Sequence, residues 1–181
     1  PNELTMQERI DSTIKFLKET IGPNKRILDL GIPNSLGAAM KEAGYDVINT
    51  GGEDLDVDFE KYLKMDVDCV TAFEIFEHML APFNILRLLD VPNLVASVPL
   101  KLWFASAYWS KTDPWDRHYH EFEPKQFDML MEKSGWEIND SAKWKNPEKK
   151  KVGIRPLLRN VTDRYYIVHC QRKSGYTLPS K

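Results

Sequence analysis

The sequence predicts an α/β fold: a mostly parallel sheet of about six to seven strands, flanked by helices and closed by an antiparallel strand. Three observations carry that expectation. Arg26-Ile-Leu-Asp-Leu30, a tight turn, an amphipathic stretch and Tyr45-Asp-Val-Ile-Asn49 follow one another as strand, turn, helix and strand, which is a βαβ unit. Two further apolar runs, 66–73 and Leu94-Val-Ala-Ser-Val-Pro99, read as buried strands. The chain has 181 residues, 42% hydrophobic and 29% charged, enough for one domain to bury a large core without disulfide or structural metal. We expect a single domain with an N-terminal helix (1–24), an aromatic insertion (100–120) and a basic closing segment (145–181).

The elements follow in order. Ile10, Ile14, Leu17 and Ile21 share a helical face, Thr5-Met-Gln-Glu8 reads as a capping box, and Gly22-Pro23 stops the helix. The helix after the first strand repeats Leu36, Ala39, Met40 and Ala43, with Asn34 or Ser35 as N-cap and Gly44 as its end. An acidic, turn-like stretch (51–58) and a short helical piece (59–63) lead to the strand at 66–73. Pro82 opens a short helix supplying Ile85, Leu86 and Leu89. Glu123-Pro124 opens another, with Phe127, Leu130, Met131 and Ser134 inward and Gly135 at its end. Trp136 to Trp144 and Arg164 to Cys170 read as two closing strands.

Composition narrows the class. No apolar run approaches the roughly 18 residues of a membrane span, and no signal pattern opens the chain, so a cytoplasmic protein without a membrane partner is expected. Cys69 and Cys170 lie in apolar runs and read as buried free thiols. The net charge of −2 hides a division, with +8 over residues 145–181 and −10 over residues 1–144. That basic segment reads either as a solvated lysine-rich loop or as a site for an anionic substrate or nucleic acid. Twenty aromatics include Trp103, Phe104, Tyr108, Trp109 and Trp115 in one long connection, either a lid that stacks on a flat substrate or a cover for a flank of the sheet.

A strand running directly into a helix places backbone N–H groups at the carboxyl edge of a parallel sheet, where such folds bind ligands. The residues here are Ile27-Leu-Asp-Leu-Gly31, and the chain resembles the class I S-adenosylmethionine-dependent methyltransferases, whose first motif runs D-L-G-x-G-x-G. Asp68-Cys-Val-Thr-Ala-Phe-Glu-Ile-Phe-Glu-His78 is similar to the family's fourth strand and its E-x-x-E-H continuation, and Val95-Ala-Ser-Val-Pro99 to its fifth. His118-Tyr-His-Glu-Phe122 through Gly135-Trp136 resembles the segment leading into its last helix. The resemblance covers about residues 25 to 142 and implies a Rossmann-like sheet. It further implies S-adenosylmethionine as cofactor, held at Asp29, Gly31, Pro33 and Gly37 and along Gly51, Glu53, Asp56 and Asp58, with Phe73 and Glu74 bordering the pocket. Departures are specific. Pro33 and Ser35 replace two motif glycines, and Pro33 removes a backbone donor. Gly51 stands where the family's ribose-binding acid would fall, so Glu53 or Asp54 would have to serve. The path from the second strand to Asp66 is too short for a full helix and strand.

Two imidazoles alternate in Arg117-His-Tyr-His-Glu121, and His118 or His120 is the candidate base; a structural role for either stays open. Glu74, Glu77 and His78, with His120 in His120-Glu-Phe-Glu123, resemble the metal set of the small-RNA 2′-O-methyltransferases. E-x-x-E-H is also common in methyltransferases without metal, and no metal is the expectation. His169, in an apolar strand, reads as a packed residue. The function implied is methyl transfer to an unidentified small-molecule or anionic acceptor; the alternative is a degenerate methyltransferase fold acting as a non-catalytic binding module. A nicotinamide enzyme is disfavoured because G-x-G-x-x-G is absent.

Overall fold

The computed structural model describes residues 3–145, 158 and 161–179. Helix α1 (Glu3–Thr20) is followed by β1 (Arg26–Asp29), α2 (Ser35–Glu42) and β2 (Asp46–Asn49). After a single 3-10 turn (Glu60–Tyr62) come β3 (Cys69–Phe73), a second 3-10 turn (Phe76–His78), α3 (Pro82–Leu88) and β4 (Asn93–Pro99). Helix α4 (Pro124–Lys133), β5 (Trp136–Lys145) and β6 (Asp163–Arg172) complete the described elements. The six strands form one sheet in the order β2-β1-β3-β4-β6-β5. The first four are parallel, and β6 runs antiparallel to both β4 and β5.

Residue alternation explains the layers. Ile27, Cys69, Val95 and Ile167 face α1 and α2, where Phe16, Leu17 and Met40 meet them. Their neighbours Leu28, Val70, Leu94 and Val168 face the other way, onto Ile85, Leu86, Phe127 and Met131 of α3 and α4. Cys69 and Cys170 are therefore buried free thiols on opposite faces of the sheet. Because β1 pairs with β2 on one side and β3 on the other, the chain changes direction between β1 and β3. The carboxyl ends of those two strands flank a switch point, the place where open α/β sheets leave a crevice.

Several expectations are corrected. Thr5 lies inside α1, which begins at Glu3, so Thr5 to Glu8 is not the cap of that helix. The short path after β2 is as expected: the connection to β3 holds only the 3-10 turn, leaving β2 as the edge of the sheet. Trp103, Trp109 and Trp115 are 73%, 54% and 69% exposed, so these rings do not cover a flank of the sheet. Part of the basic segment is absorbed by the fold. Arg164 donates to the Leu100 carbonyl, and Arg172 donates to those of Leu86, Leu89 and Ser134 while stacking on Trp136. Neither guanidinium is a solvated cation. Lys149, Lys150, Lys151, Arg155, Arg159 and Lys181 lie outside the described residues. No helix among the described residues is long and apolar enough to cross a membrane.

Candidate functional site

The turn after β1 is built by hydrogen bonds that its sequence supplies. Asp29, 3% exposed, accepts from Thr71 Oγ1 at 2.6 Å and from Asn49 Nδ2 at 3.1 Å, which ties the ends of β1, β2 and β3 together. Burial pushes its carboxyl up to about 6 despite those two donors. The Gly31 N–H donates to Thr50 Oγ1 at 2.8 Å, and its φ of +148° is one that a side chain rarely tolerates. Asn34 caps α2, its Oδ1 accepting from the Gly37 N–H at 3.0 Å. The first turn of α2 is thereby fixed at the carboxyl edge of the sheet.

A cavity of about 220 Å³ opens beside that turn. Asn34, Ser35 and Leu36 form one wall, Phe73, Glu74 and Ser97 a second, Trp144 and Tyr165 a third, and Met6, Arg9, Ile10 and Thr13 of α1 roof it. Arg9 Nη1 meets Glu74 Oε1 at 2.5 Å, and its guanidinium lies 5.0 Å from the Tyr165 ring centroid. Glu74 holds a left-handed backbone, φ +57°, unusual for a residue with a side chain. The indole N–H of Trp144 is buried without a partner among the described residues. The cavity thus carries one cation and one carboxylate, which suits a small zwitterionic group.

Beyond the cavity, Glu53 folds back over the end of β2. Its Oε2 accepts from the Gly51 N–H at 2.8 Å and from Tyr62 Oη at 2.9 Å, and Lys61 pairs with Oε1. The Lys61 bond, with the backbone and Tyr62 contacts, holds the Glu53 carboxyl down at about 2.

Other chains with this architecture are known. A Burkholderia thailandensis 1,6-didemethyltoxoflavin-N1-methyltransferase, with 1,6-didemethyltoxoflavin and S-adenosylhomocysteine bound, matches over 91% of this chain and 78% of its own. The identity is 16% and the TM-score 0.63. An Archaeoglobus fulgidus S-adenosylmethionine-dependent methyltransferase matches at 14% identity and TM-score 0.61, covering 95% of this chain and all of its own. The magnesium protoporphyrin IX methyltransferase of Synechocystis PCC 6803, with S-adenosylmethionine bound, matches at 14% identity and TM-score 0.57, over 94% and 81%. The chain has a methyltransferase fold. No protein-family model matches it, and no curated protein matches its sequence.

Within this methyltransferase fold the expected site residues are distributed unevenly. Phe73 and Glu74 line the cavity; Asp29, Gly31 and Gly37 build its neighbouring turn from behind, and Pro33 sits exposed on that turn. Gly51 and Asp58 are exposed along the edge, whereas both oxygens of Asp56 accept backbone N–H groups, from Leu80 at 2.7 Å and Ala81 at 2.8 Å. His118 and His120 are not in the cavity lining. The four-residue metal set of the resemblance does not assemble, because Glu74 turns to Arg9 and His120 Nε2 bonds the Leu80 carbonyl at 3.2 Å. His169 is buried and bonded at both ring nitrogens, to Asp140 and Asn93, as a packed residue should be. Sequence reasoning missed Arg9, Trp144 and Tyr165. The only signal for Arg9 was its place beside Met6, Ile10 and Thr13 on one helical face.

Proposed function

We propose that this chain transfers a methyl group from S-adenosylmethionine to a small-molecule or anionic acceptor. The observation that carries the reading is the cavity at the switch point, whose cation and carboxylate complement the two charges of an amino acid. Arg9 would meet the carboxylate of the methionine portion and Glu74 its ammonium, each exchanging its present partner for the ligand. Ligand pockets usually span about 300–1,000 Å³, so 220 Å³ suits that portion rather than the whole cofactor. The adenosine portion would lie along the edge of β2, with the Glu53 carboxylate over Gly51 placed for the ribose hydroxyls. The missing Pro33 donor would then be offset by contacts that come from outside the first turn.

When bound, the cofactor supplies an activated methyl on a sulfonium. The protein's part is to hold donor and acceptor in line, which by itself lowers such a barrier substantially. A base is needed only where the acceptor arrives protonated. Because His118 and His120 stand outside the cavity lining, this reading does not use them as that base.

Calorimetry tests the proposal. S-adenosylmethionine and S-adenosylhomocysteine should each bind once per chain and raise the melting temperature. Arg9→Met or Glu53→Gln should weaken binding about tenfold or more, the scale of one charge-assisted hydrogen bond. No heat and no thermal shift at millimolar ligand would leave the non-catalytic binding module as the better account.

A further inference from the structure

A second group of polar side chains lies between the turn after β3 and the aromatic insertion, apart from the cavity. Glu77 is 1% exposed, and its Oε2 has no hydrogen-bond partner among the described residues. A buried carboxylate oxygen left without a donor is costly, and native folds rarely tolerate one unless another group completes it. His78 Nε2 stands 3.7 Å from Glu77 Oε1, too far for a hydrogen bond. His118, from the insertion, packs edge-on against His78 with ring centroids 4.9 Å apart. One donor atom from each of Glu77, His78 and His118 lies within 4.8 Å of the others.

The outward contacts of the two imidazoles decide what the group can do. His78 Nδ1 is 3.0 Å from the Arg117 carbonyl, and His118 Nδ1 is 2.9 Å from Glu121 Oε1. Both partners are acceptors, so in the neutral imidazoles each Nδ1 carries the proton and each Nε2 keeps its lone pair. Metal-binding histidines are oriented in this way, one nitrogen donating outward to a carbonyl or carboxylate and the other facing the ion. Two imidazoles and one carboxylate are also the donor set of three-ligand zinc sites that keep a position open. Bonds of about 2.1 Å in a tetrahedron place donors roughly 3.4 Å apart, so the Glu77 and His78 atoms are already near their spacing.

We propose that Glu77, His78 and His118 bind one zinc-class divalent ion, which neutralises the buried carboxylate and ties the aromatic insertion to the carboxyl edge of the sheet. The two loops are already stitched by backbone, since Tyr119 N and His120 N donate to the Glu77 carbonyl at 2.7 and 3.2 Å. The ion would fix the side chains that these contacts bring together, leaving a fourth position for water or an acceptor oxygen. This assignment replaces Glu74 and His120 of the resemblance by His118, and it stands whether or not the cavity binds a methyl donor.

The full chain, stripped with a strong chelator, should be titrated with zinc chloride against a chromophoric competitor and by calorimetry. The expected result is one ion per chain, bound tighter than about 1 μM. It should weaken about tenfold or more in His118→Ala and in Glu77→Gln and stay unchanged in His120→Ala. Cobalt should give the visible spectrum of a tetrahedral site in the parent chain and lose it in His118→Ala, a substitution on the insertion that spares the core. Saturation only above about 100 μM, unchanged binding in His118→Ala, or loss in His120→Ala would each overturn the assignment.

Discussion

At Asp29 a single carboxyl links the turn to the pH response of the whole fold. Because burial raises its native value to about 6 from 3.8, the folded chain holds that proton more tightly than the unfolded chain does. Its contribution to stability is complete below 3.8 and is lost as pH rises through 6, about 3 kcal/mol in all. Asp29→Asn should reduce the slope of the pH dependence of urea unfolding between these values, leaving the part that comes from Glu77, whose carboxyl burial also pushes up; an unchanged slope would show that Asp29 is not a group responsible. Glu74 is a second such residue. Its left-handed backbone costs roughly 1–2 kcal/mol, and its partly exposed pair with Arg9 returns at most about 1 kcal/mol. Glu74→Gly should leave unfolding free energy within about 1 kcal/mol of the parent while cofactor binding by calorimetry falls steeply. The sequence named Asp29 and Glu74, since Asp29 begins the Asp-Leu-Gly motif at the end of the first strand and Glu74 follows a buried strand. It could not show that one faces inward and the other faces a cavity, because the rotation at each strand end is fixed by neighbours far along the chain.

Arg172 shows how elements are joined. Its guanidinium donates to Leu86 and Leu89 at the end of α3 and to Ser134 at the end of α4, and stacks 3.8 Å from the Trp136 ring centroid. One side chain thus satisfies carbonyls that two helix ends would otherwise leave open. Burial lowers its value to about 10, so it remains charged at neutral pH. Arg172→Met keeps length and apolar packing on Trp136 but strands the Leu89 and Ser134 carbonyls, Leu86 keeping the Trp136 indole N–H, at a cost of about 2–4 kcal/mol. A melting temperature lower by roughly 5–15 °C is expected, and no change would remove Arg172 from the account. Next to it, Gly135 has φ +85°, and a Cβ there would come within 2.2 Å of the Tyr176 ring, so the end of α4 also depends on a contact with the tail. The helices and strands themselves were legible, because periods of 3.6 and 2 register burial directly. The basic count at the end of the chain misled for Arg164 and Arg172, since charge alone does not reveal which guanidinium finds buried carbonyls.

For the molecule as a whole, the sheet separates two cores that meet only through its strands. Cys69 lies in one and Cys170 in the other, and burial pushes Cys170 up to about 12 and Cys69 further still. Both thiols should resist an aromatic disulfide reagent in the native state and react together at the rate of global unfolding. Faster reaction of one would reveal local opening on that face. The same layering makes α1 part of the site. Its apolar face packs on one core, and the first turns, which carry Met6, Arg9 and Thr13, roof the cavity.

What the sequence determined by itself is the alternation of buried strands and amphipathic helices, and with it the α/β class, the βαβ unit and the tight turn at Gly31. These are local patterns, repeated within a few residues, and burial enforces each of them independently. The tertiary structure alone decided which distant residues meet: Arg9 with Glu74 and Tyr165, and His118 rather than His120 beside Glu77 and His78. Such encounters depend on loop paths and side-chain rotation at strand ends, and no periodicity in the chain encodes them.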